Sequence, residues 1–250
     1  MKKFLVFVLS LFISANIATC ATLPVSATSF QECGTNVCDC DVILTEQENQ
    51  AILSLASNCG LSYKELKSML CFEAKGKSCF LVPVCDCEEH KQCLLNLFSY
   101  ADPDYMKYYK YFPMSPEQVN ELFSRALIKL NQLSPTSITF FVKTQDKVVA
   151  RIGLGPLNSY KNADSDDAEI GYAIEESYSG QGIMTKAVDT TLKFLRYLRT
   201  CGNSGYDFEK LRATAMLNNK ASNAILSKCG FIRMEIPVDE GRRNEYFYYF

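Results

Sequence analysis

The chain has 250 residues, is 48% hydrophobic and carries 26 Lys and Arg against 28 Asp and Glu, for a net charge of −2 and a pI near 5.6. That length and apolar content suit one globular domain plus an appendage. The near-balance of charge argues against broad nucleic-acid binding and leaves room only for a local patch.

Residues 1–27 read as a targeting segment. Lys2 and Lys3 precede an uncharged run from Phe4 to Ala18, and small residues follow around Thr19, Cys20 and Ala21. This is the layout of a secretory signal peptide. An uncleaved membrane anchor is the alternative, although the run is short for a span. The compartment stays open at this stage. Nine of the 12 cysteines lie between Cys33 and Cys93. They read as disulfides if the chain is exported, and as thiols or metal ligands if it is cytosolic. No C-x-x-C pair occurs, and the only histidine, His90, reads as a solvated helix residue, so a zinc site has little support and no metal is expected.

Residues 28–77 read as a small, cysteine-containing helical region. Thr45 and Glu48 form a capping box for a helix with Ile52, Leu53, Leu55 and Ala56 on its apolar side. Asn58-Cys59-Gly60 stops it, and Ser62 caps a second helix carrying Tyr63, Leu66, Met69 and Leu70. The string resembles the helix-turn-helix of LuxR-type regulators, whose second helix enters the DNA major groove. With Lys64 and Lys67 as its only basic residues, a hairpin packed on the main domain is the better reading, and DNA is not expected as a partner.

From Cys79 the elements follow in order. Cys79–Val84 is a strand and Glu88–Ser99 a helix. Asp102–Tyr109 is dense in tyrosine. Ser115 caps a helix with Pro116 at its first position, running to about Leu133. Ile138–Lys143 and Val148–Leu154 form a hairpin, and 155–166 is a polar loop. Ala168–Ile174 is a strand, followed by a loop ending Ser179-Gly180-Gln181-Gly182. A helix then begins, with Ile183, Met184, Ala187, Val188, Leu192 and Leu195 at helical spacing. Leu211–Met216 is a strand, Asn218 reads as the N-cap of the next helix, and Gly230 stops it. Ile232–Ile236 and Arg242–Phe250 are the last strands.

The strand–glycine loop–helix junction is an anion site by its physics. Gly180 and Gly182 allow a sharp bend and close approach of a ligand. The first N–H groups of the helix lack partners within it and favour a phosphate. Thr185 stands where a third Gly would complete G-x-G-x-x-G, so the dinucleotide fingerprint is not met.

Ser179-Gly180-Gln181-Gly182-Ile183-Met184, followed by Asn219-x-x-Ser222 and a closing Gly230-Phe231, resembles the two cofactor blocks of the GNAT acetyltransferases. The G-x-G-I-M-T form, and Asp102–Tyr109 set against D-P-E-V-M-x-Y, are similar to the branch that acetylates N-terminal alanines of ribosomal proteins. The resemblance implies a mixed α/β (α+β) fold over 78–250. Its mostly antiparallel sheet would have about seven strands flanked by helices and would splay at the strand carrying Glu169. It implies acetyl-CoA as co-substrate, on Ala173, Ile174, Gly180, Gln181, Gly182, Ile183, Met184, Thr185, Asn219 and Ser222. Glu169 is implied as base and Ser222 as acid, since Leu226 stands where many family members carry a tyrosine acid. Glu175 and Glu176 are alternative bases. Tyr105, Tyr108 and Tyr109 are implied near an amine acceptor, which is a protein N-terminus or a polyamine or antibiotic, with the chain as monomer or homodimer. The competing class is a non-catalytic, exported binding protein on a degenerate scaffold.

Overall fold

A computed structural model of the protein describes residues 41–109, 112–130, 137–145, 147–155, 157, 168–200 and 208–250. The leader, Cys33, Cys38 and Cys40, Tyr111 and the acidic run at 164–167 lie outside them. Among the described residues, no helix is long and apolar enough to cross a membrane.

Two capped helices open the described chain. α1 (Glu46–Cys59) carries the expected Thr45/Glu48 capping box, and Gly60, at φ 67°, closes it. α2 (Tyr63–Leu70) starts from a second box, Ser62/Glu65. The hairpin of β1 (Cys71–Ala74) and β2 (Lys77–Pro83) comes next. Its two-residue turn, Lys75-Gly76, has φ of 49° and 72°. That pair of left-handed residues is what a primed hairpin turn demands, and glycine at the second supplies it at little cost. The sequence reading began the first strand at Cys79 and missed β1, because a four-residue strand carries too short a pattern to register.

The sheet has eight strands in the order β1-β2-β3-β4-β5-β6-β8-β7, one more than expected. They include β3 (Ile138–Thr144), β4 (Lys147–Gly155), β5 (Ala168–Ile174), β6 (Lys210–Met216), β7 (Ile232–Arg233) and β8 (Arg243–Tyr249). β5 and β6 are parallel and the remaining pairs are antiparallel. α3 (Glu88–Phe98) packs on β4, α5 (Pro116–Leu130) on β3, and α7 (Lys220–Lys228) on β6. α6 (Ile183–Thr200) touches β1, while a short turn of helix, α4 (Pro103–Met106), follows α3. All seven residues of β3 are buried, as expected of a central strand covered on both faces.

The described residues from Asp41 onward belong to one compact unit. α1 packs on β2, and α2 on α6, with Ile52, Leu55, Leu66 and Leu70 fully buried. The second helix therefore spends its apolar face on the sheet domain.

An ion cluster joins α1 to the sheet. Lys143 Nζ donates to Glu48 Oε1 at 3.0 Å and Oε2 at 2.9 Å, and to Glu89 Oε2 at 3.2 Å. Lys143 and Glu48 are both buried. Burial raises the Glu48 carboxyl, but the nearby His90 imidazole and hydrogen bonds from Lys143 and the Thr45 N–H outweigh it and bring it to about 2. His90 is also fully buried, its ring stacked on Phe141 at 4.2 Å. The expectation of a solvated histidine is thus corrected. Position 90 lies on the inward stripe of α3 with Cys93, Leu94 and Leu97, a periodicity that a polar residue does not advertise.

Candidate active site

The site is built where two parallel strands part. β5 pairs with β6 only at Ala168↔Leu211 and Glu169↔Arg212. Beyond those pairs β5 stays bonded to β4 as far as Ile174, and β6 to β8 as far as Met216. Each strand is held on its outer side and they diverge between, opening a cleft of about 1030 Å³. Glu169, Ile170, Tyr172, Ala173, Ile174, Arg212, Thr214, Met216, Asn219 and Ser222 line it.

The glycine loop leads from β5, through a turn at Glu176–Tyr178, to the start of α6. Gly180 and Gly182 have φ of 70° and 77°, conformations that disfavour any side chain, and a Cβ at either would meet nothing within 4 Å. The space beside this backbone is therefore open. Ser179 and Met184 reach the cleft. Ile183 is fully buried, so its contribution to a ligand is its backbone at the helix start. Gln181 turns its side chain aside: Nε2 donates to Ser177 O at 2.8 Å and Oε1 accepts from Lys77 Nζ at 2.9 Å. Lys75 Nζ donates to Gly180 O at 3.1 Å. The β1–β2 hairpin thus braces the loop with two cations, a contact between residues about a hundred positions apart that no local pattern reveals.

The N-cap of α7 is Asn219 rather than Asn218: its Oδ1 accepts the Ser222 N–H at 3.1 Å. That cap fixes Ser222, whose Oγ lies 2.9 Å from Tyr172 OH. Burial pushes the Tyr172 phenol well above its ordinary value, against the opposing hydrogen bond with Ser222. Tyr172 was not singled out from the sequence, where one aromatic in a strand reads as packing. Strand alternation puts Glu169, Gly171 and Ala173 on one face of β5 and Ile170, Tyr172 and Ile174 on the other. The implied base and the serine–tyrosine pair thus approach the gap from opposite sides of the strand.

Tyr105, Tyr108 and Tyr109 all line the cleft. Tyr105 OH donates to Ile174 O at 3.0 Å, tying α4 to the end of β5. Tyr109 also stacks on Phe98, with centroids 4.6 Å apart. Glu175 is engaged elsewhere, paired with Lys147 at 2.7 Å and accepting from Asn96 Nδ2 at 3.3 Å, which makes it a poor base. Asn223 also escaped the sequence reading. Its Nδ2 donates to Met216 O at 2.9 Å, and its Oδ1 accepts from Asn244 Nδ2 at 2.8 Å and Tyr246 OH at 2.7 Å, locking α7 onto β6 and β8.

A mixed sheet that opens between parallel strands above a glycine loop and helix start defines an acyl-CoA-type transferase fold. Residues 87–232 match the family described as acetyltransferase (GNAT) domain, more than half of the chain, and the protein belongs to that family. Solved structures agree on the fold. The microcin C7 self-immunity acetyltransferase MccE, solved in complex with acetyl-CoA and AMP, is 18% identical over 69% of this chain and 92% of its own, with a TM-score of 0.50. RimL, a ribosomal L7/L12 α-N-protein acetyltransferase, is 17% identical over 69% and 90%, with a TM-score of 0.51. The spermidine N-acetyltransferase of Vibrio cholerae, in complex with CoA and spermine, is 19% identical over 68% and 95%, also at 0.51. No curated protein matches the chain in sequence.

Proposed function

We propose that this protein is an acetyl-CoA-dependent N-acetyltransferase that acetylates a primary amine, a protein N-terminus being the favoured acceptor. The observation that carries the reading is the cleft between β5 and β6, with the left-handed Gly180 and Gly182 opening the backbone beside the start of α6. Diphosphate oxygens suit the N–H groups there. The edge of β5 from Ile170 to Ile174, unpaired with β6, offers backbone groups to an extended amide-containing arm.

The amine nitrogen attacks the thioester carbonyl, the C–S bond breaks, and the products are an N-acetyl amide and the CoA thiol. Glu169, at the apex of the cleft, takes the amine proton directly or through water. Ser222 gives a proton to the leaving thiolate and is reprotonated through its 2.9 Å contact with the Tyr172 hydroxyl, the proton that Glu169 took from the amine returning by way of solvent. The RimL-like resemblance of the glycine loop and of Asp102–Tyr109 favours a protein N-terminus. A polyamine is the second reading, on the family resemblance; the cleft lining holds Asp104, Glu169 and Asp239 but also Lys107, Arg212, Lys220 and Arg243.

Calorimetric titration of the full chain with acetyl-CoA, under reducing conditions, tests the cofactor. Micromolar binding is expected, and silence up to millimolar concentration would sink the reading. Ser222→Ala and Tyr172→Phe should each lower kcat about 100-fold with acetyl-CoA affinity unchanged, the lower end for loss of a general acid. Normal turnover in either would remove that residue from the proton path. Lys75→Ala with Lys77→Ala should weaken acetyl-CoA roughly two- to fivefold, more at low ionic strength, because exposed charges contribute little and are screened. A salt-independent affinity would show that the hairpin lysines only brace the loop.

A further inference from the structure

Cys85, Cys87 and His90 converge where the end of β2 meets the start of α3, a place the acetyl-transfer reading does not use. Their ligand atoms lie within 4.8 Å of one another. Cys85 Sγ is 3.4 Å from Cys87 Sγ and 3.4 Å from His90 Nδ1. Tetrahedral zinc, with Zn–S of about 2.3 Å and Zn–N of about 2.05 Å, sets ligand atoms about 3.8 Å apart for S···S and about 3.6 Å for S···N. The two observed separations are within a few tenths of an ångström of those values, so a small outward shift seats the ion.

Three further observations point the same way. Cys87 occupies the N-cap of α3, where Ser, Thr, Asp or Asn is usual, yet makes no capping hydrogen bond; its sulfur turns to Cys85 instead. The Cys85 N–H donates to His90 Nδ1 at 3.2 Å, so Nδ1 carries the ring's lone pair and the ring proton sits on Nε2; an ion would take that lone pair in place of the Cys85 N–H. That Nε2 is buried, lacks a hydrogen-bond partner and faces Glu48 Oε1 at 3.5 Å. A carboxylate behind a histidine whose other nitrogen faces two thiols is the outer-shell arrangement that orients a metal-bound imidazole. Glu48 is itself fixed by Lys143 and by the Thr45 N–H at 2.7 Å.

We propose that Cys85, Cys87 and His90 Nδ1 bind a borderline-soft divalent cation of the zinc class, with Glu48 as a positioning residue. Two thiolates neutralise the ion, and binding displaces any proton the sulfurs still carry. The fourth position opens beside Cys87, which is half-buried, whereas Cys85 and His90 are buried. The ion would clip the end of β2 to α3, upstream of α4 and Tyr105.

The test uses the full chain, prepared anaerobically with reductant, stripped by chelator and titrated with Co²⁺, then with Zn²⁺ as competitor. The expected result is one equivalent of Co²⁺ giving sulfur-to-cobalt charge transfer with intense tetrahedral d–d bands, displaced by Zn²⁺. Cys85→Ser with Cys87→Ser should abolish the charge-transfer bands. Should that pair fail to fold, Cys87→Ser alone should roughly halve them. Glu48→Gln should weaken Co²⁺ 10- to 100-fold, the usual effect of losing an outer-shell partner. Absence of thiolate bands in the wild type, or bands that survive the double variant, overturns the proposal. So does recovery of a Cys85–Cys87 disulfide from protein that takes up no Co²⁺, which would make the two thiols a redox pair.

Discussion

Gly182→Glu is expected to abolish acetyl-CoA binding while the protein stays folded. A Cβ at Gly182 meets nothing within 4 Å, so no packing is lost. The folding cost is that of holding a non-glycine residue at φ 77°, about 1–2 kcal/mol. The binding cost is larger. A carboxylate about 4 Å from a diphosphate charge, at an effective dielectric near 20, opposes it by about 4 kcal/mol, nearly a thousandfold. Calorimetry should show no heat at millimolar acetyl-CoA, with a far-ultraviolet spectrum like that of the wild type. Gly182→Ala carries the same backbone strain without the charge and should retain weakened binding. If Gly182→Glu bound as tightly as the wild type, the diphosphate would have to lie elsewhere and the cofactor assignment of this loop would fail.

The second large effect concerns stability. Lys143→Met should destabilise the protein by about 3–5 kcal/mol, because it leaves Glu48 charged, buried and facing an apolar side chain. Most of that loss is the penalty of an orphaned charge rather than of the missing contact. Adding Glu48→Gln to Lys143→Met should therefore recover the greater part of it, a coupling that denaturant unfolding of the two singles and the double measures directly. Additive losses would show that the pair contributes through packing alone. The same ion pair anchors α1 to β3, so shortening the chain to residue 78 onward, where family resemblance places the start of the domain, removes β1 and leaves Lys143 without Glu48, with Glu89 as its remaining carboxylate.

Much of the architecture is written locally. Thr45 with Glu48 and Ser62 with Glu65 announce two helix starts through capping chemistry, and both boxes form. The glycine loop reads as a bend before a helix because no other residue tolerates φ of 70° and 77° as readily. The 138–154 hairpin and the Tyr- and Phe-rich last strand follow from composition and turn residues, while the expected 232–236 strand is confined to Ile232–Arg233. Family resemblance in these motifs supplied the splay at Glu169, and the two surviving pairs between β5 and β6 show where it begins.

What the sequence determined by itself, then, is the order of elements, their caps, and the loop able to receive an anion, because each rests on steric and hydrogen-bond preferences spanning at most a few residues. Tertiary structure alone decided which side chains meet. It put Tyr172 behind Ser222, Lys75 and Lys77 against the glycine loop, and His90 inside between Glu48 and two cysteines. These are encounters between elements distant in the chain, set by sheet register and helix packing. No periodicity of 2 or 3.6 residues encodes which partner a buried polar group will find.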